Sequence, residues 1–258
     1  MGASRRDFDH AEFDPAALAA RRAGLRVSVC LPARDEAATI GPIVAEVRAT
    51  CTVAGGGADL VDEILVVDDG SSDATATVAE RAGAAVVRSG RGGGGKGQAM
   101  ALARAECSGD VIVFLDADVE QFSSRFVIGL LGPLLVDEDI VLVKGFYRRP
   151  LHGAPSGGGR VTELMARPVI DLLFPDLAFV RQPLAGETAV RRTVVEKTGI
   201  APGYGAELGL LVDVARDFGV GAIAQCDLGV RVHRNRPLSE LRAQATDVLR
   251  TGLERARH

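Results

Sequence analysis

The most telling stretch of this sequence is Val111-Ile-Val-Phe-Leu-Asp-Ala-Asp118. Its first five residues form an unbroken apolar run, the pattern of a strand buried on both faces of a parallel sheet. Asp116-Ala117-Asp118 then emerges at the carboxyl end of that strand, where open α/β sheets bind ligands. Two acids so close repel each other and are costly to hold in a cleft without a cation. A divalent metal bridging a diphosphate removes that cost, because Mg²⁺ takes a few carboxylates together with phosphate oxygens. A solvated turn is the plainer alternative, and the triplet alone does not choose between them.

Working outward, Arg26 to Leu31 reads as a strand that Pro32 stops. Residues 36–50 carry Ile40, Ile43, Val44 and Val47 at helical spacing. Glu63 to Val67 is a second buried strand, ending in Asp68-Asp-Gly-Ser-Ser-Asp73. A short helix over 75–82 and a third strand over 84–87 follow, then a Gly-rich loop over 90–97 and a helix over 98–105. Strands alternating with helices predict a parallel sheet with helices on both faces. After a strand at Val141 to Lys144 the pattern loosens, with helices expected over 160–173, over 207–218 and from Leu238. Residues 1–25 are charged and Ala-rich, an arm or a peripheral helix. Residues 26–150 form the α/β half and 151–258 a less regular half, with no linker between them, so one compact two-lobed unit is expected.

The 258 residues suffice for a full hydrophobic core. A formal charge of -4 gives no general basic field, so nucleic acid is not an expected partner. No segment approaches the ~20 apolar residues that span a bilayer, and Arg5, Arg6, Asp7, Asp9 and Glu12 crowd the place where a signal peptide is apolar. Cys30, Cys51, Cys107 and Cys226 are scattered and read as buried free thiols. A cytoplasmic protein without membrane contact is the expectation.

Several clusters could carry chemistry. Asp69, at a strand end, suits hydrogen bonds from a nucleotide, while Ser72 or Asp73 suits a helix cap. The loop Gly90-Arg-Gly-Gly-Gly-Gly-Lys96-Gly97 matches most of a phosphate-binding P-loop, but Gly97 stands where Ser or Thr would meet Mg²⁺. With Asp116 as the second acid, a P-loop NTPase stays open beside a mobile loop whose Lys96 meets a phosphate as a point charge. Gly157-Gly-Gly-Arg160-Val-Thr162 combines backbone N–H groups, a guanidinium and a hydroxyl, a set that suits a phosphate or carboxylate. His233 sits among cations, and a metal near Asp118 would give it a role. Glu207 is a site acid or an exposed residue of a first helical turn.

Leu31-Pro-Ala-Arg-Asp-Glu36 with Thr39-Ile-Gly41, Val67-Asp-Asp-Gly-Ser-Ser-Asp73, Lys96-Gly97 and the acidic triplet together resemble nucleotide-sugar glycosyltransferases of GT-A fold. K-G-F-Y-R-R-P-L at 144–151, G-G-G-R-V-T-E-L-M-A-R-P at 157–168, Q-P-L-A-G-E at 182–187, A-P-G-Y-G-A-E-L-G-L-L at 201–211 and H-R-N-R-P-L at 233–238 are similar to the glucosyl-3-phosphoglycerate synthases. The resemblance runs from about residue 27 to 250. It implies a Rossmann-like, mainly parallel sheet flanked by helices, with a less regular acceptor-binding half. It implies glucose transfer from UDP-glucose to the 2-hydroxyl of 3-phosphoglycerate with retention, dependence on Mg²⁺ or Mn²⁺, and a homodimer. By the same resemblance Pro32, Ala33, Glu36, Asp69, Lys96, Asp116 and Ala117 bind the donor. Asp118 and His233 hold the metal, Gly159, Arg160, Thr162 and Asn235 bind the acceptor, and Glu207 and Leu184 face the glucose, with Glu207, Asp118 and Leu184 counted as catalytic. GDP-mannose as donor is the rival within this family.

Overall fold

The computed structural model describes residues 6–90, 94–149, 159–232 and 238–257. One sheet of eight strands runs through the molecule in the order β1-β8-β6-β7-β5-β2-β3-β4. The strands are β1 (Asp7–Asp9), β2 (Val27–Ala33), β3 (Glu63–Asp68), β4 (Ala85–Arg88), β5 (Val111–Phe114), β6 (Leu142–Arg148), β7 (Thr188–Arg191) and β8 (Ile223–Val230). All neighbours pair parallel except β7, which runs antiparallel between β5 and β6. The carboxyl ends of β2, β3, β5, β6 and β8 therefore share one edge of the sheet. The antiparallel β7 brings its opposite end, the turn before Thr188, to that same edge.

Alternation along the strands divides the core. Val27, Val29, Leu31, Val111, Val113 and Leu115 face one layer, packed by α2 (Ile40–Cys51), α3 (Thr75–Ala82) and α5 (Arg125–Val136). Cys30, Ile112 and Phe114 face the other. That second layer holds α4 (Lys96–Glu106), α6 (Arg167–Leu173), α7 (Arg192–Thr198), α8 (Ala206–Phe218) and α9 (Leu238–Arg255). Because central strands are covered on both faces, they read as continuous apolar runs.

Three local expectations need correction. Pro32 does not end β2, which pairs with β3 through Ala33. The Leu115 amide donates to the Cys30 carbonyl, so position 32 also faces β5, and β5 has already finished there. The missing N–H of proline thus leaves no ladder partner stranded. The helix expected from residue 36 begins at Ile40, because Glu36 N–H donates to Thr75 Oγ1 and Ala37 N–H to Asp73 Oδ2, which ties this turn to the start of α3. Residues 6–25 do hold a helix, α1 (Pro15–Arg21), but they are tied into the fold: α1 buries Leu18 in the core and β1 pairs with β8.

Candidate active site

The shared edge opens into a cleft of about 490 Å³, within the range of small-molecule sites. Every strand that ends there contributes. Pro32 and Ala33 come from β2, Asp69 from the end of β3, Asp116, Ala117 and Asp118 from the end of β5, Arg149 from the end of β6 and Arg231 from the end of β8. Gly159, Arg160, Thr162, Leu184, Lys96 and Glu207 complete the wall with Glu36 and Tyr204. His233 and Asn235 lie outside the described residues.

The acidic triplet is fixed at its centre, where Thr39 Oγ1 donates to the Ala117 carbonyl at 2.6 Å. Lys96, in the first turn of α4, places Nζ 2.6 Å from Asp116 Oδ1 and 2.6 Å from Glu207 Oε1. Burial alone would depress the Lys96 ammonium, but the Asp116 and Glu207 carboxylates outweigh it and hold it above its ordinary range. Burial would likewise raise Asp116, yet Lys96 and Arg231 pull its carboxyl well below the usual carboxylate range.

Arg231 donates from Nη2 to Asp118 Oδ1 at 2.6 Å and lies 2.9 Å from Asp116 Oδ2. Its Nη1 donates to Tyr147 Oη, which itself donates to Glu187 Oε2 and accepts from Arg149 Nη2. Arg231 Nε and Glu187 Oε1 face each other at 3.3 Å without hydrogen-bond geometry, and neither has another hydrogen bond. Burial pushes the Glu187 carboxyl up, against the pull of Arg231 and with the help of Asp116. Arg149 Nε is also buried and makes no hydrogen bond, and a β-carbon on Gly159 would stand 3.0 Å from Arg149 Nη1. Among the described residues one nitrogen of this guanidinium is thus left without a hydrogen bond near Gly159, which suits an anionic ligand.

The turn before β7 is packed into this network. Lys144 Nζ, on β6, donates to the Ala185 carbonyl at 2.5 Å and to Thr188 Oγ1 at 2.9 Å. A β-carbon on Gly186 would fall 2.0 Å from Asp116 Oδ1, so only glycine lets this backbone pass the carboxylate. Burial lowers Lys144 to about 8, against its ordinary 10.5. Between those two values the unfolded chain binds the extra proton, so this residue makes the fold more stable as pH rises from about 8 towards 10.5. Lys144→Met should flatten that rise in urea-unfolding measurements across the same window.

Asp69 is placed in the cleft, but its carboxylate also anchors the Gly-rich loop. It accepts from Ser89 Oγ, Gly94 N–H and Gly95 N–H at 2.9, 2.9 and 3.0 Å. Neither Ser72 nor Asp73 is the N-cap of α3, which is Ala74; Asp73 accepts the Thr75 N–H at 2.9 Å from one residue earlier, while Ser72 donates to Asp35. Thr162 is buried inside a π-helical turn (Thr162–Ala166). Such turns recur at functional sites. The P-loop alternative does not fit. Gly97 is pressed against the segment before α8, where a β-carbon would sit 2.1 Å from the Ala201 carbonyl. Gly97→Ser, which would complete the P-loop pattern, should destabilise the protein by about 1–3 kcal/mol and bring no ATP hydrolysis. Thermal melting and a phosphate-release assay check both.

Lys144, Tyr147, Arg149, Glu187 and Arg231 received no role from residue type and spacing. The available signal was a set of charges inside or closing otherwise apolar strands, L-V-K-G-F-Y-R and G-V-R-V. Among the described residues no three His, Cys, Asp or Glu side chains form a metal cage. Asp118 offers a hard oxygen donor of the kind that suits Mg²⁺ or Mn²⁺ when ligand oxygens complete the set.

Comparison with known proteins agrees with this geometry. The model of the family described as Glycosyl transferase family 2 matches residues 28–157. A glucosyl-3-phosphoglycerate synthase of Mycolicibacterium smegmatis is 46% identical over 92% of this chain and 80% of its own length. The solved glucosyl-3-phosphoglycerate synthase of Mycobacterium tuberculosis with Mn²⁺, UDP-glucose and phosphoglyceric acid superposes with a TM-score of 0.83 at 44% identity, covering 95% of this chain and 84% of that one. Mannosyl-3-phosphoglycerate synthase of Rubrobacter xylanophilus superposes at 0.90 with 40% identity, covering 98% and 81%. A GT-A sheet with its acids at the β5 edge, and relatives this similar over most of their length, make the chain a member of glycosyl transferase family 2, in its glucosyl-3-phosphoglycerate synthase group.

Proposed function

We propose that the cleft transfers glucose from UDP-glucose to the 2-hydroxyl of 3-phosphoglycerate, with retention of configuration and with Mg²⁺ or Mn²⁺ as cofactor. The observation that carries the reading is the single cleft in which the acidic pair of β5 faces the Gly159–Thr162 strip, with Lys96, Arg149, Arg160 and Arg231 around them. An activated diphosphate and an acceptor bearing two anionic groups both need such a concentration of fixed positive charge. The relative solved with Mn²⁺, UDP-glucose and phosphoglyceric acid supports the same substrates.

In this reading Pro32, Ala33, Glu36, Asp69, Lys96, Asp116 and Ala117 hold the donor. Asp118 and His233 hold the metal, which when bound supplies positive charge to the departing diphosphate. Gly159, Arg160, Thr162 and Asn235 take the acceptor. Leu184 and Glu207 face the glucose. Glu207 Oε1 is engaged by the Lys96 ammonium at 2.6 Å, which suits an orienting acid better than a nucleophile. The acceptor hydroxyl then attacks on the face the diphosphate leaves, and its proton passes to a diphosphate oxygen. Trapping a glycosyl adduct on Glu207 would overturn that scheme.

The decisive assay offers UDP-glucose and GDP-mannose, each with 3-phosphoglycerate, with and without Mg²⁺. Metal-dependent glucosyl transfer is the expected result. Donor hydrolysis without transfer would mean that the Gly159–Thr162 strip is misassigned. Preference for GDP-mannose would favour the mannosyl reading, which the Rubrobacter relative keeps in view.

A homodimer fits the exposed Leu164, Leu172, Leu249 and Leu253, carried by segments that pack against one another. Light scattering on the eluting protein tests it. Four buried free cysteines suit a reducing, cytoplasmic setting, and among the described residues no helix is long and apolar enough to cross a membrane.

A further inference from the structure

The acidic pair at the end of β5 already has a cation. Arg231 Nη2 stands 2.9 Å from Asp116 Oδ2 and 2.6 Å from Asp118 Oδ1, so one nitrogen bridges the two carboxylates. Arg231 is 3% exposed. The Arg231 backbone N–H donates to the Arg148 carbonyl at 3.0 Å, fixing the backbone where β8 passes β6. Tyr147 holds Nη1 from below at 2.7 Å, and Glu187 faces Nε.

Among the described residues Asp116 is met by Lys96 as well, at 2.6 Å, so the pair is answered by an ammonium and a guanidinium before any metal arrives. A divalent cation arriving alone would add two positive charges beside two cations already in contact with the pair. A cation arriving with a diphosphate brings its own compensation.

We propose that Arg231 is the built-in counter-ion of the Asp116–Asp118 pair, and that its fixed charge makes divalent-cation capture at this pair depend on the nucleoside diphosphate. The proposal rests on the metal reading given above. Arg231 is a positioning residue here: it holds both carboxylates in one geometry and sets the order in which charge enters the cleft.

The test is Mn²⁺ binding followed by electron paramagnetic resonance, which counts free and bound ion without turnover. The full chain is titrated alone and with UDP, as wild type, Arg231→Gln, Arg231→Lys and Asp118→Asn. UDP should tighten Mn²⁺ binding to wild type at least tenfold. Arg231→Gln should bind Mn²⁺ alone at least tenfold more tightly than wild type, while Arg231→Lys, which keeps the charge, should stay within a few fold of it. Wild type binding Mn²⁺ equally well with and without UDP would overturn the proposal, even if Arg231→Gln failed to fold. A folded Arg231→Gln no tighter than wild type would overturn it too, leaving the metal site itself intact if UDP still recruits Mn²⁺ and Asp118→Asn abolishes that. Absence of Mn²⁺ binding to wild type with UDP, or binding that Asp118→Asn does not alter, would sink both readings.

Discussion

Asp118→Asn is expected to lower kcat/KM for glucosyl transfer at least about a thousandfold, equivalent to about 4 kcal/mol of transition-state stabilisation. The substitution keeps shape and removes charge. It takes from the cleft the anionic oxygen donor that suits the metal, and it leaves Arg231 with one carboxylate fewer to answer its own charge, since Nη2 meets Asp118 Oδ1 at 2.6 Å. Steady-state rates with UDP-glucose and 3-phosphoglycerate at saturating Mg²⁺ measure the loss. Thermal melting separates it from unfolding: Asn keeps the shape of Asp118 and Asp116 still meets Arg231 at 2.9 Å, so stability should fall far less than the rate. A loss smaller than tenfold would remove Asp118 from the centre of the chemistry.

Lys96→Met should be the second severe change, and it should be severe twice over. Nζ is 2.6 Å from both Asp116 and Glu207, and Glu207 is 5% exposed. Removing one partner of such a group leaves buried carboxylates uncompensated, a loss of about 3–5 kcal/mol when burial is complete and somewhat less here. Stability should therefore fall measurably, and kcat/KM by at least about a hundredfold, as a phosphate-facing cation and the anchor of Glu207 are lost together. Lys96→Arg keeps the charge but needs more room than one ammonium between two carboxylates. It should recover stability before it recovers rate. Equal recovery of both would reduce Lys96 to a structural ion pair.

The sheet's central strands were readable because they are covered on both faces: V-I-V-F-L and E-I-L-V-V need no partner to be recognised. β1, β7 and β8 were not. Asp7-Phe8-Asp9 has an acid on either side of one apolar residue, and Thr188-Ala-Val-Arg191 runs directly into α7 with no punctuation between strand and helix. Their strand character comes from the neighbours they pair with, which no local pattern records. The same division holds for the site. Asp69, Asp116 and Lys96 stand at strand or helix ends, where position itself signals exposure to a cleft. Lys144 and Glu187 carry charge into the interior, and the groups that make this tolerable, the Ala185 carbonyl, Thr188 and Tyr147, are known only once the register is known.

The pairing of β1 with β8 has a consequence for synthesis on the ribosome. Asp9 lies opposite Asp227 in that ladder, so β1 emerges long before its partner strand exists. At roughly 5–20 residues per second the wait is on the order of tens of seconds. Lys96 and Arg231, which hold Asp116 from opposite sides, are similarly far apart in translation time. A nascent chain halted between them has an acidic pair with half its cations, and an early strand with nothing beside it. Competence to bind substrate therefore arrives late and all at once, when β8 slots between β1 and β6.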